Sequence, residues 1–262
     1  MSVLNNKKSD FIDALKSYDL WSFLAWQDIK LRYRRSKIGP LWITLSMTIF
    51  CLSLGVVYSQ LFNAEVNEYV PFLSLGFVVW GLISGILSEF PNVFVDQAAF
   101  IKDIRMNPFV IIFRLIARHV IIFAHNLLIV LGIYAIFQLN PGLEISYFVP
   151  GFFLVTLNLL AIGVSLSILG ARFRDVAPTV QALIQVIFFI TPITWFPKLL
   201  PESSWVVKAN PFVYFLDLTR SPLLGLAPQA NSWFAAVGML IIFSSLAAYV
   251  YQQKSKKIPF WV

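Results

Sequence analysis

The sequence predicts an all-α polytopic membrane protein, and three observations carry that reading. Hydrophobic residues make up 58% of the 262 positions and charged residues only 13%, against about 25% charged in a soluble domain. Uncharged runs of roughly 20 residues recur along the chain, each long enough to cross a hydrocarbon core of about 30 Å as a helix. Seventeen of the 20 lysines and arginines fall on one side of the layout those runs dictate, leaving Lys198, Lys208 and Arg220 on the other. A bias of that kind marks the cytoplasmic face. The expected topology is six spans with both tails inside.

The layout turns on Asp28 to Trp42, DIKLRYRRSKIGPLW, where a cationic collar ends at Gly39-Pro40 and an apolar run begins at once. Residues 10–37 are expected as one interfacial helix. Leu20, Leu24 and Leu31 form one apolar stripe and Trp26, Ile29 and Tyr33 a second, which suits a helix wedged between headgroups and spans. Gly39-Pro40 should break it, because proline disfavours helical geometry in the residue before it and suits the first turn of the next helix. No apolar core precedes the collar among Asp10, Asp13, Asp19 and Asp28, so no cleavable signal is expected and the first span, 41–62, serves as the targeting segment.

A short acidic loop leads to the second span, 70–90. Residues 96–106 are too polar to cross, and a cytoplasmic helix capped by Asp96 and stopped before Pro108 is expected there. The third span, 111–137, starts with Arg114 and Arg118 four apart on one face; they either snorkel to the headgroups or hold an anionic headgroup. His119 and His125 follow with no acidic or cysteine neighbour in sequence to make a metal site. The fourth span, 147–170, carries Gly163, Gly170, Ser165 and Ser167, a small-residue face that permits close helix packing. After the turn ARFRDVAP comes the fifth span, 179–197, and after the sixth, 233–251, the basic tail Lys254, Lys256 and Lys257. Between them, residues 198–230 are punctuated by Pro201, Pro211, Pro222 and Pro228. They read as short reentrant helices on the outer side, with Asn210-Pro211 a helix start.

Several function classes drop out. The net charge of +7 is spread along span ends, which fits anionic lipid and topology better than nucleic acid. The single cysteine, Cys51, can form neither an internal disulfide nor a cysteine metal cluster. No GxxxxGK[ST] loop occurs, so the chain has no P-loop ATPase of its own. Carboxylates near mid-span and internal repeats, both common in ion-coupled carriers, are missing. No cluster of acid, base or metal ligands suits a membrane-embedded transferase, so no catalytic residue and no cofactor is expected in this chain.

Polar and aromatic stripes remain. Ser46, Ser53 and Gln60 repeat every seven residues on the first span, and Gln181, Gln185, Phe188 and Pro192 follow helical spacing on the fifth. Polar groups facing lipid are costly. They either bridge helices by hydrogen bonds or wall a passage in which amides and hydroxyls alternate with rings such as Phe189, Trp195 and Phe196, which stack on sugar faces.

The runs LAWQDIKLRYRRSKIGPLW, ARFRDVAPTVQALIQVIFFITPITW and NPFVYFLDLTRSPLLG and the final IPFWV together resemble the membrane subunit of polysaccharide-exporting ABC transporters, the O-antigen permease (Wzm) group of type 2 ABC exporters. The similarity extends over essentially the whole chain. It implies a homodimer of six-span subunits in the bacterial inner membrane, bound to two copies of a separate ATPase that holds ATP and Mg. The substrate it implies is an undecaprenyl-linked glycan: O-antigen, or alternatively a capsule or teichoic-acid polymer, with drug or lipid export as a more distant relative. By resemblance, Phe100, Ile101, Lys102, Asp103, Ile104 and Arg105 form the coupling helix that meets the ATPase. The resemblance further implies a channel lined by Ser46, Ser53, Gln60, Gln181, Gln185, Phe188, Phe189 and Trp195 and an outer gate that includes Asn210 to Leu224, while Arg32, Arg34 and Arg35 either snorkel to the headgroups or meet the lipid pyrophosphate.

Overall fold

A computed structural model describes residues 10–199 and 205–262. No strand occurs among them, and five helical stretches are long and apolar enough to cross a membrane: Leu41–Leu61, Val66–Asp96, Pro108–Phe137, Gly142–Arg172 and Ala230–Trp261. The chain is a multi-pass membrane protein.

The amphipathic start is two helices, α1 (10–16) and α2, Tyr18–Arg32. The single helix expected over 10–37 is therefore too long at one end and interrupted at the other. At Ser17 the hydroxyl donates to the Asp13 carbonyl at 2.8 Å and the chain turns. At Arg32 the helix stops, because continuing it would stack Lys30 on Arg34 and Arg32 on Arg35, like charges one turn apart. Gly39, at φ +56°, and Pro40 act on the start of α3, Leu41–Leu61, seven residues further on.

The centre of the bundle is α4, Val66–Glu89, which packs against α3 and against the later helices α7 (Pro108–Phe137), α8 (Phe148–Arg172), α9 (Val176–Ile190) and α11 (Pro211–Leu223). Its side chains from Tyr69 to Leu87 are almost all buried, so this span is apolar all round, as a helix surrounded by protein should be. At its basic end follow a 3-10 turn, Phe90–Asn92, and two short helices, α5 (Val93–Asp96) and α6 (Ala98–Lys102). Next, α7 (Pro108–Phe137) begins with Asn107 accepting from the Phe109 amide at 2.9 Å.

The glycine face of α8 (Phe148–Arg172) is filled as its sequence demands. A methyl on Gly163 would sit 2.0 Å from the Phe90 ring and one on Gly170 2.0 Å from the Pro91 carbonyl oxygen, so the Phe90–Asn92 turn presses directly onto the helix. On its other flank α8 carries α12 (Ala230–Lys254), to which Asn158 is tied by a 3.1 Å bond to the Ala236 carbonyl.

The fifth predicted span is shorter than expected. Helix α9, Val176–Ile190, has 15 residues, about 22 Å of rise against a core of about 30 Å. Pro192 ends it, since Thr191 must turn extended (ψ 135°) in front of a proline. Trp195 therefore lies beyond the helix. After α10 (Trp205–Lys208), helix α11 (Pro211–Leu223) starts at Asn210, whose side chain accepts from the Phe212 amide at 3.0 Å and donates to the Thr191 hydroxyl at 2.8 Å. Pro201 lies outside the described residues, as do Lys7 and Lys8. A four-residue helix, α13 (Ile258–Trp261), closes the chain.

Candidate functional site

Three features gather at the basic end of the bundle. The first is the segment after α5. A helix over 96–106 was expected, but only Ala98–Lys102 is helical; Gln97 rather than Asp96 precedes it, without a side-chain cap, and Arg105 takes a left-handed φ of +54°. Asn107 is committed to capping α7, which forces the chain out of helix before Pro108. Of the six predicted coupling residues, Ile101 is buried and Phe100 is half-buried beneath the Arg114 guanidinium, 5.6 Å from its ring. Lys102, Asp103, Ile104 and Arg105 are exposed, Ile104 by 64%, so an apolar side chain stands out among charges.

Behind that segment runs a charge network that sequence reasoning missed. Arg114 donates to Asp28 through Nε at 2.9 Å and to Gln97 Oε1 at 3.1 Å. Arg118 bridges Asp28, at 3.4 Å, and Glu89. Both arginines are paired to carboxylates of the subunit rather than standing as free cations at the end of the span. The network joins α2, the end of α4, the connection before α6, and α7. A signal was present: an acid amid a basic collar, and two arginines one turn apart needing counter-charges. His125 stacks its ring on Trp26 at 6.5 Å, and its Nδ1 bonds the Ile121 carbonyl at 2.8 Å.

The third feature is a cavity of about 370 Å³ between α3, α4 and α7, with Arg32 and Tyr33 at its mouth. Arg32, Arg34 and Arg35 are all exposed, but of the three only Arg32 lines this space.

The polar stripes lie on the outside of the subunit. Ser46, Ser53, Gln60, Gln181 and Gln185 are exposed, and Ser46 turns its hydroxyl back to the Trp42 carbonyl at 2.6 Å. Helix α9 buries only Ala177. Phe189 is 72% exposed, whereas Phe188 is half-buried against Phe77 and Trp80 at 5.7 and 5.9 Å. Trp195 folds back to donate to the Phe189 carbonyl at 3.1 Å. Among the described residues, the polar members of the stripes make no hydrogen bond to another helix of the subunit.

At the opposite end, Arg220 is 7% exposed with no carboxylate in an ion pair among the described residues. It donates to the Pro192 carbonyl at 2.7 Å, and its guanidinium lies 4.1 Å from the Phe72 ring centre. Counted from sequence as one outer cation, it pins the end of α9 to α11.

The family model described as ABC-2 type transporter matches residues 19–224, the stretch from α2 through α11. The chain belongs to the ABC-2 type transporter family. Among proteins similar to it are two from Klebsiella pneumoniae, each named O-antigen export system permease protein RfbA. They are 24% and 23% identical over 199 and 197 residues, covering 74% of this chain and 76% of theirs. A protein of the same name from Myxococcus xanthus is 25% identical over 239 residues, covering 89% of this chain and 92% of its own. As an ABC-2 transporter chain it is similar to permease subunits, and no group of metal-ligating side chains occurs among its described residues. The matched stretch contains both the exposed turn around Ile104 and the stripes on α3 and α9.

Proposed function

We propose that this chain is the membrane subunit of an ABC exporter that moves a lipid-linked polysaccharide, O-antigen in the first instance, across the bacterial inner membrane. The power comes from a separate ATPase subunit that binds ATP and Mg. The observation that carries this reading is the exposure of Ser46, Ser53, Gln60, Gln181 and Gln185 on two helices that are otherwise apolar. In a bilayer such groups need water or another protein surface. A second copy of the chain, meeting the first through α3 and α9, encloses them and forms a passage between protomers. Amides and hydroxyls there accept and donate to sugar hydroxyls, while Phe188, Phe189 and Trp195 offer faces to the sugar rings. The names of the similar proteins support O-antigen as the glycan.

Six spans follow if α9, together with the chain beyond Pro192, is counted as the fifth. Both termini then lie in the cytoplasm, and α10 and α11 form an outer gate. Phe100 to Arg105 docks on the ATPase. ATP binding closes the ATPase pair and pushes this segment, and the network through Asp28 and Glu89 carries the displacement into α2, α4 and α7. Arg34 and Arg35 meet the pyrophosphate of the incoming lipid.

The test is to substitute Ile104→Glu, an exposed position whose change leaves the bundle intact, and to measure co-purification of the ATPase and export of the glycan. Loss of both is expected. Unchanged co-purification with unchanged export removes the docking assignment.

A further inference from the structure

Apart from Ser46, the lining of the cavity between α3, α4 and α7 has no part in the export reading. Its mouth carries the half-buried Tyr33 and Arg32, whose charge is felt by Glu89 but which makes no direct salt bridge among the described residues. Its apolar lining is Met47, Phe50, Leu82 and Phe123, with Phe50 at the exposed edge. Two lining side chains are buried yet incompletely bonded: His119, 6% exposed, and Asn126, 4% exposed. Asn126 Oδ1 finds no hydrogen-bond partner, and His119 Nε2 has only a poorly aligned 3.4 Å approach to Glu89. A buried polar group left in that condition is destabilising unless something else meets it.

We infer that this cavity is a binding site for one anionic glycerophospholipid of the leaflet at the basic end, with its phosphate at Arg32 and one acyl chain against Met47, Phe50 and Phe123. The order of chemistry along the cavity selects that class. A cation stands at the mouth, polar groups continue from His119 to Asn126, about 10 Å further at 1.5 Å per residue, and hydrocarbon lines the same depth. A glycerophospholipid has matching polarity, since its glycerol and ester groups lie between phosphate and chain. An isoprenoid phosphate changes directly from phosphate to hydrocarbon and would leave Asn126 Oδ1 unmet. The occupant is resident and is not transported; of the passage-wall residues only Ser46 also lines this cavity.

The test is native mass spectrometry of the full-length protein in detergent, with phosphatidylglycerol, phosphatidylcholine or undecaprenyl phosphate added at equal concentration. Phosphatidylglycerol should be retained about tenfold better than phosphatidylcholine, the scale of one charge-assisted bond. Arg32→Gln, at an exposed position, should bring the two close to parity while the thermal midpoint without added lipid is unchanged. Arg34→Gln, outside the cavity, should preserve the preference. Gly81→Leu should remove the adduct, since Gly81 lines the cavity and a first side-chain carbon there meets only Met47, at 3.4 Å. Equal retention of the two phospholipids by the wild-type protein, an unaltered preference in Arg32→Gln, or tighter retention of undecaprenyl phosphate would overturn the assignment.

Discussion

Asp28 is the residue whose loss should be felt most widely. Its carboxylate holds Arg114 through two nitrogens and approaches Arg118, with side chains of Asp28 and Arg114 both 14% exposed. Asp28→Asn keeps the shape and deletes the charge, leaving Arg114 desolvated beside a neutral amide. A stability loss of about 3 kcal/mol is expected in denaturant titration of the detergent-solubilised protein. Glycines give a second contrast at this scale. Gly170→Ala drives a methyl into the Pro91 carbonyl and should lower stability by at least about 1–3 kcal/mol. By comparison, Gly132→Ala meets nothing within 4 Å and should raise it by about 0.5–1 kcal/mol. Equal thermal midpoints for these two variants would mean that the Phe90–Asn92 turn does not press on α8.

At the scale of elements, the α9 to α11 joint rests on Arg220. Replacing it by methionine keeps the apolar length against Phe72 and removes the bond to the Pro192 carbonyl. Amide exchange over Ile193–Phe196 should then accelerate about tenfold while α11 stays protected; unchanged exchange would assign the joint to packing alone. The elements themselves were legible to different degrees, and for physical reasons. Uncharged runs bounded by charge announce spans, and Asn210-Pro211 and the small face of α8 were readable because capping and close packing are local or periodic. The break at Ser17, the stop at Arg32 and the shortness of α6 were not. Each depends on a competition between helix and an alternative bond or a repulsion, and windows of apolar residues do not register that competition. The proline after Thr191 did announce the true end of α9, but the apolar Ile193 and Phe196 beyond it carried the predicted span too far; in the fold they are buried against α4 instead. Pairings between distant segments, Asp28 with Arg114 and Arg220 with Pro192, left only the trace of charges lacking local partners.

For the whole molecule, the stripes on α3 and α9 make a claim about assembly. Gln185→Cys in a Cys51→Ser background should yield a covalent dimer under mild oxidation in native membranes, and Ile241→Cys, exposed on α12 and away from the stripes, should not. A dimer from position 241 alone would put the interface on the wrong face. The decisive measurement is made in sealed proteoliposomes holding this chain and its partner ATPase, loaded with a lipid-linked O-antigen. Transfer of the glycan across the bilayer should require ATP, Mg and both subunits, and the chain alone should hydrolyse no ATP. ATP hydrolysis by the chain without a partner, or glycan transfer that proceeds unchanged without nucleotide, would contradict the account.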